Sequence, residues 1–401
     1  MVHNLLAVNP SIMIFVIFVI MILVSIFSYV AHAKKRKDAG SSTISSSPVS
    51  TSSVKIDEKL LKAAEAGDAE AQFKLAQTYE FKESSKYIYW LEKAAEQGYE
   101  EAIRELAEEY DHGNRVAVPP IKKDRNKAVE YFTRLADKGD IAAMKDISLI
   151  YAVEFNDFNK SREWTEKAAN AGDIESMVEL GDDYRLIADI ADFEKSEYWY
   201  KKAVDLGSGS AMKGLGDLYN YDEKRPDYFK AESWYKKAVA AGEYFAYVRL
   251  GDMWKEGKGF AKDETTAFEY YKKAAEKGEV YGKINMAEAY LCGAGVDCDA
   301  GKAIGILEEA AKNSNIPKYR LGLCYFEGEG VERDYKRAAQ LFTECHEIDE
   351  DAAYKLGECY YNGYGVKADK EKAREYWRES ATCGNEDAEE CLKLYFGETI
   401  D

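Results

Sequence analysis

From residue 57 onward, apolar positions recur at helical spacing inside a longer period. A short phrase ending in glycine returns along the chain, as EKAAEQG, EKAANAG, KKAVDLG, KKAVAAG and KKAAEKG. Its last residues are Gly67, Gly98, Gly139, Gly172, Gly207, Gly242, Gly278 and Gly384, mostly 33 to 36 residues apart. Asn313 and Ile348 fill the two remaining places. Asparagine is the usual substitute where a helix ends in a left-handed residue, whereas isoleucine is not, so that repeat is expected to end differently. Eight residues after each marker stands a large aliphatic side chain: Leu75, Leu106, Ile147, Leu180, Leu215, Leu250, Met286, Leu321, Leu356 and Leu392. Four residues further comes an aromatic: Tyr79, Tyr110, Tyr151, Tyr184, Tyr219, Trp254, Tyr290, Tyr325, Tyr360 and Phe396. Apolar residues at i and i+4 make one stripe of an amphipathic helix, called helix A here. Small residues directly after the aliphatic column, among them Ala76, Gly181, Gly216, Gly251 and Gly357, let a neighbouring helix approach closely. A second stripe, helix B, runs through Trp90, Tyr131, Trp164, Trp199, Trp234, Tyr270 and Tyr376, eight residues before the markers.

Neither helix has enough apolar surface to be stable alone, so stability must come from stacking one pair on the next. In the later repeats the A-to-B connection carries Gly257 and Gly259, Gly293 and Gly295, Gly328 and Gly330, or Gly363 and Gly365. An aspartate follows each (Asp263, Asp299, Asp334, Asp369) and is expected to cap helix B. No strand precedes these glycines and no GK[ST] follows, which argues against a phosphate loop. Nine full pairs are expected, with a leading helix near Asp57 to Ala66 and a closing helix near Glu386 to Phe396.

The pattern A-x3-L-G-x2-Y-x2-G-x-G-V-x2-D, followed by KA and then W/YY-x-KAA-x2-G, resembles the Sel-one-like repeat (SLR) family, relatives of the tetratricopeptide repeats. The resemblance covers about 345 of the 401 residues. It is strongest from Gly242 onward. Repeat two has a longer loop containing Pro119 and Pro120, and repeats three to five lack GxGV. The resemblance implies an all-α, right-handed superhelical solenoid of antiparallel helix pairs whose A helices line a concave groove. It also implies an interaction module and not a catalyst.

Residues 1–11 form a short tail, and residues 12–31 (IMIFVIFVIMILVSIFSYVA) carry no charge. At 1.5 Å per residue such a helix spans a bilayer core of about 30 Å, so a single transmembrane helix is expected. The basic cluster Lys34, Lys35, Arg36 and Lys37 places the following body in the cytoplasm with the N-terminus outside. Residues 32–56 read as a basic, Ser-rich flexible linker, and residues 57–401 as the repeat domain.

Up to residue 56 there are five Lys/Arg against one Asp, so the rest carries −22 of the net −18. That acidity, with no basic stripe, argues against nucleic acid as a partner. The four histidines are scattered, no His/Cys set has metal-ligand spacing, and no catalytic motif is present, so no metal, cofactor or enzymatic activity is expected. Among cysteine-rich members of the family, cysteines eight apart bridge helices. Cys383 and Cys391 have that spacing but stand two residues out of phase, and free thiols are expected throughout. On the helix A face, Asp182, Asp217, Asp252, Glu288 and Glu358 lie ten residues after the markers, an acidic ladder at the repeat spacing. Neighbouring rows offer Phe245, Tyr281, Tyr319, Phe326, Tyr354 and Tyr361. Exposed acids beside aromatic anchors suit a basic or aromatic peptide. The expected function is a membrane-tethered scaffold or adaptor that binds a partner protein in this groove. The alternatives are an extracytoplasmic assembly or quality-control factor, and a hydrolase using groove carboxylates.

Overall fold

The computed structural model describes residues 57–399 apart from 81, 115, 116, 223 and 225. The segment expected to cross the membrane, residues 12–31, and the basic cluster Lys34, Lys35, Arg36 and Lys37 lie outside these residues. Among the described residues no helix is long and apolar enough to cross a membrane.

The chain divides into two compact units, with the boundary between Leu180 and Gly181. The first holds α1 (Glu58–Glu65), α2 (Ala69–Tyr79), α3 (Ser84–Glu96), α4 (Glu100–His112), α5 (Arg125–Ala136), α6 (Ile141–Val153) and α7 (Phe158–Asn170). The boundary falls within α8 (Ile174–Leu186). The second unit continues with α9 (Phe193–Asp205), α10 (Gly209–Tyr221), α11 (Tyr228–Ala240), α12 (Ala246–Glu256), α13 (Glu264–Glu276) and α14 (Val280–Cys292). It ends with α15 (Ala300–Ala311), α16 (Ile316–Glu327), α17 (Tyr335–Cys345), α18 (Glu350–Asn362), α19 (Lys370–Thr382) and α20 (Glu386–Phe396). Even-numbered helices are the A helices and odd-numbered ones the B helices. The fold is the expected all-helical repeat solenoid, with no strand among the described residues.

The aliphatic column forms the centre of each unit. Leu75, Leu106, Ile147, Leu180, Leu215, Leu356 and Leu392 are fully buried, Leu250 and Leu321 nearly so, and Met286 is partly buried. Every marker glycine has φ between 82° and 104°, a left-handed conformation that ends helix B and turns the chain into the next helix A. Asn313 does not follow: among described non-glycine residues only Asn156 has positive φ. The B helix before Ile348 instead runs into a 3-10 turn, His346–Ile348.

The A-to-B turn is held by one assembly that recurs. The N–H of the capping aspartate bonds the carbonyl of the column aromatic, as from Asp124 to Tyr110, Asp192 to Tyr184, Asp227 to Tyr219 and Asp369 to Tyr360. The aspartate side chain accepts from the backbone N–H three residues on, at Lys127, Lys195, Lys230 and Lys372. The ammonium of that same lysine lies over the column ring, 4.5 to 5.1 Å from its centroid in these four repeats. After Asp334 an arginine, Arg337, takes the lysine's place 4.3 Å over the Tyr325 ring, and after Asp263 Thr266 stands there while Trp254 stacks on Phe260 at 3.8 Å.

The two helices of a pair meet where a small residue of helix A faces a large one of helix B. A Cβ built on Gly181, Gly251 or Gly322 would come 2.5 Å from the ring of Tyr200, Tyr271 or Phe342, and Gly216 and Gly357 are as close to Tyr235 and Trp377. Elsewhere the small residue is alanine: Ala76 shares a core with Leu91, Ala107 with Phe132, and Ala287 with Leu307. Ser148 hydrogen-bonds Thr165 at 2.8 Å. In α20 the corresponding residue is Lys393, which is exposed.

Gly216→Ala is therefore expected to destabilise the second unit by about 1–3 kcal/mol, as overpacking does, in urea denaturation followed by circular dichroism. Adding Tyr235→Leu should recover part of the loss, because Ala against Leu is the combination found at other pairs.

Candidate functional site

The candidate site is the helix A face of the second unit. The glycine that admits the B-helix ring also decides the fate of the next residue. A tyrosine crossing at Gly181, Gly216 or Gly251 brings its hydroxyl beside Asp182, Asp217 or Asp252. Tyr200 donates to Asp182 at 2.6 Å, Tyr235 to Asp217 at 2.8 Å and Tyr271 to Asp252 at 2.9 Å. Where the ring has no hydroxyl, as at Phe342, the residue after the glycine is Leu323. Trp377, the ring at Gly357, directs its indole N–H to the Tyr354 carbonyl at 3.1 Å.

The acidic ladder is also neutralised by cations of the same face. Arg185 meets Asp182 at 3.0 Å. Asp217 meets Lys213 at 3.0 Å and Arg249 of the following A helix at 3.3 Å, and Arg249 also reaches Asp252 at 3.8 Å. Arg320 bonds Glu288 of the preceding A helix at 3.4 Å, and Lys355 bonds Glu358 at 2.9 Å. Asp217 is only 1% exposed. Asp217 is thus not an exposed acid, whereas Asp182, Asp252, Glu288 and Glu358 stay partly exposed beside their cationic partners. The spacing that marks the ladder also places tyrosine hydroxyls beside Asp182, Asp217 and Asp252 and a basic row beside Asp217, Asp252, Glu288 and Glu358. That basic row, Arg249, Arg320 and Lys355, stands seven residues after the markers and was legible in the sequence as a second ladder.

Burial alone would raise the Asp217 carboxyl, but Lys213, Arg185 and Arg249 hold it below the usual carboxylate range. Asp252 has fewer cations around it, and burial pushes its carboxyl up to about 6 despite the Tyr271 hydrogen bond.

The six aromatic candidates are placed less uniformly than their spacing suggests. Tyr319 and Phe326 lie 6.0 and 6.1 Å from Phe342 and are half-buried. Tyr361 packs between Trp377 at 5.3 Å and Tyr395 at 4.5 Å. Tyr354 is half-buried with Lys355 5.4 Å over its ring. Phe245 and Tyr281, from consecutive A-helix repeats, meet edge to face at 5.7 Å and 83°. Of the six, Tyr281 is the exposed one, at 46%. Arg249 lies 5.1 Å over Phe245, which completes a corner of two perpendicular rings and a guanidinium. Such a corner takes an apolar or aromatic side chain.

The cleft between α12, α13 and α14, lined by Tyr271, Glu288 and Cys292 among others, holds about 60 Å³. Small-molecule sites run from roughly 300 to 1,000 Å³, so this one is too small for a metabolite. Among the described residues no group of three or more His, Cys, Asp or Glu side chains is placed to hold a metal ion. Cys324, Cys345 and Cys359 are buried thiols, and burial pushes Cys345 and Cys359 up to about 12.

Nine segments of the chain, residues 88–99, 100–140, 154–173, 174–208, 209–243, 245–279, 280–315, 318–344 and 350–385, match the Sel1 repeat. Among solved structures, the chain is similar to a Sel1 repeat protein from Oxalobacter formigenes. The two are 24% identical, with 89% of this chain and 99% of that one covered and a TM-score of 0.49. It is also similar to a protective antigen of uropathogenic Escherichia coli strains that displays an SLR fold, at 25% identity, 84% and 89% coverage and a TM-score of 0.32. Yeast Tom70 is similar at 17% identity, 84% and 80% coverage and a TM-score of 0.46. No curated protein matches the chain.

Two outcomes are expected from the carboxylates. Asp217→Ala takes the acceptor from the buried Tyr235 hydroxyl and a partner from half-buried Lys213, and should cost about 1–3 kcal/mol of stability in chemical denaturation. For Asp252 the folded carboxyl lies above its unfolded value. Its contribution is therefore greatest below the unfolded value and declines as pH rises through about 6. Compared with the wild type, Asp252→Asn should lose that part of the fall in Tm between pH 5 and pH 7.

Proposed function

Because this chain belongs to the Sel1 repeat family, we propose that it is a membrane-tethered scaffold whose helix A face binds a partner protein. Sel1- and tetratricopeptide-like repeat proteins generally mediate protein–protein interactions and are typically not enzymes. In this reading the array winds as a right-handed superhelix with the A helices on its concave side. Residues 12–31 cross the membrane, Lys34, Lys35, Arg36 and Lys37 keep the body in the cytoplasm, and residues 32–56 give it reach.

The observation that carries the reading is the corner formed by Phe245, Tyr281 and Arg249. An exposed aromatic held edge-on by a second ring is a preorganised anchor point, and such anchors dominate binding energy in interfaces. Since tyrosine hydroxyls, arginines and lysines of the same face engage the acidic ladder, the partner is recognised by an aromatic or apolar side chain and not by basic ones.

Proximity labelling from a tag at the C-terminus tests both halves in the native cell, with the wild type compared against Phe245→Ser/Tyr281→Ser. Labelling of cytosolic and inner-leaflet proteins, with a subset lost in the variant, is the expected result. An unchanged partner list with the variant still folded would refute the corner, and labelling confined to extracytoplasmic proteins would refute the topology.

A further inference from the structure

Helix α20 ends on Gly397, whose φ of 69° turns the chain back toward α19. The N–H of the next residue, Glu398, bonds the Leu392 carbonyl at 3.3 Å. Its carboxylate meets two guanidiniums, Arg378 through Nε at 2.8 Å and Arg374 through Nη2. The two arginines are four residues apart on α19, so one face of that helix presents both.

Arg378 stands where α9 and α11 carry Lys201 and Lys236, but Arg374 stands where they carry Glu197 and Glu232. In α9 the place of Arg374 is taken by Glu197, which accepts from the hydroxyl of Tyr219 on the following A helix. At the α19–α20 junction both partners differ. Arg374 takes the place of the acid, the ring is Phe396 without a hydroxyl, and the guanidinium lies 5.7 Å over that ring. The junction therefore carries an excess of positive charge that needs an anion from outside the helix pair, and Glu398 supplies it. The other acid on Arg374 is Glu371, at 3.5 Å and 77% exposed. Arg374 Nε is buried and has no acceptor, so the carboxylate does not use every donor the site offers.

We propose that the Arg374–Arg378 face of α19 is a binding site for an acidic segment of a partner protein, held closed in the free chain by Glu398. Charge complementarity identifies the occupant: two guanidiniums on one helical face fit a carboxylate, and one is already seated there. What holds Glu398 is short. The residues on either side of it, Gly397 and Thr399, are exposed, so exchanging one carboxylate for another disturbs no core residue. An attached carboxylate acts at an effective concentration on the order of millimolar, so a free peptide competes poorly until Glu398 is removed or displaced.

The probe is a fluorescein-labelled peptide of residues 396–401, titrated by fluorescence anisotropy into the full-length chain in detergent. Glu398→Gln should bind the peptide, the wild type should bind it about tenfold more weakly, and Glu398→Gln/Arg378→Gln should show no saturable binding. The proposal fails if Glu398→Gln keeps its helical circular dichroism yet does not bind, or if the arginine variant binds equally well. Should Glu398→Gln loosen α20, hydrogen exchange on the wild type decides. Millimolar unlabelled peptide should speed exchange at the amides of Glu398 and Thr399 while α20 stays protected, and unchanged exchange overturns the proposal. Neither readout involves Phe245 or Tyr281, so this site and the helix A corner fail or stand separately.

Discussion

Five helix pairs in this protein depend on one steric exchange, in which a residue of helix A gives up its side chain so that a ring of helix B can lie against the backbone. Five glycines, Gly181, Gly216, Gly251, Gly322 and Gly357, leave no room for a Cβ beneath Tyr200, Tyr235, Tyr271, Phe342 and Trp377. Close packing of this kind sets the depth of the pair and hence its register, because a ring seated over a glycine cannot slide by a turn without meeting a larger residue. It also decides the chemistry of the adjoining position. A phenol that crosses there needs an acceptor, and the aspartate beside the glycine provides one.

Much of the architecture was legible in the sequence, because a period of about 35 residues makes every inference testable ten times within one chain. The aliphatic column, the aspartate caps and the left-handed glycines each follow from a local rule, namely burial, an orphan N–H, or a φ that only glycine adopts without strain. Asn313 misled because asparagine tolerates the left-handed conformation without requiring it. The burial of Asp217 within the acidic ladder was hidden for a different reason. Spacing shows which face a side chain occupies but not what arrives from the neighbouring helix, and both Tyr235 and Arg249 reach Asp217 from other helices. The signal that would have shown this was the pairing of Gly-Asp in helix A with tyrosine in helix B, against Gly-Leu with Phe342.

The same point governs how the charge of the body should be read. A surplus of acids on a repeat protein invites the idea of a basic ligand, yet on the helix A face those acids alternate with arginines and lysines and take hydroxyl hydrogen bonds. In the proposed reading, recognition rests on shape and aromatic surface where Phe245 and Tyr281 meet. Charge recognition is proposed for α19, where Arg374 stands in place of the Glu197 and Glu232 of α9 and α11.

The clasp at the A-to-B turn has a consequence for how such a chain is made longer. Its parts, the aromatic carbonyl and ring, the capping aspartate and the lysine three residues on, all lie on one short stretch of continuous sequence, as from Tyr219 to Lys230. They need nothing from any other repeat. A duplication that copies one period therefore delivers a turn already complete, and the only new fit it must satisfy is the stacking of its helices on the adjoining pairs. Arrays built this way grow or shrink by whole units in evolution, with the surface that faces a ligand extended one row at a time.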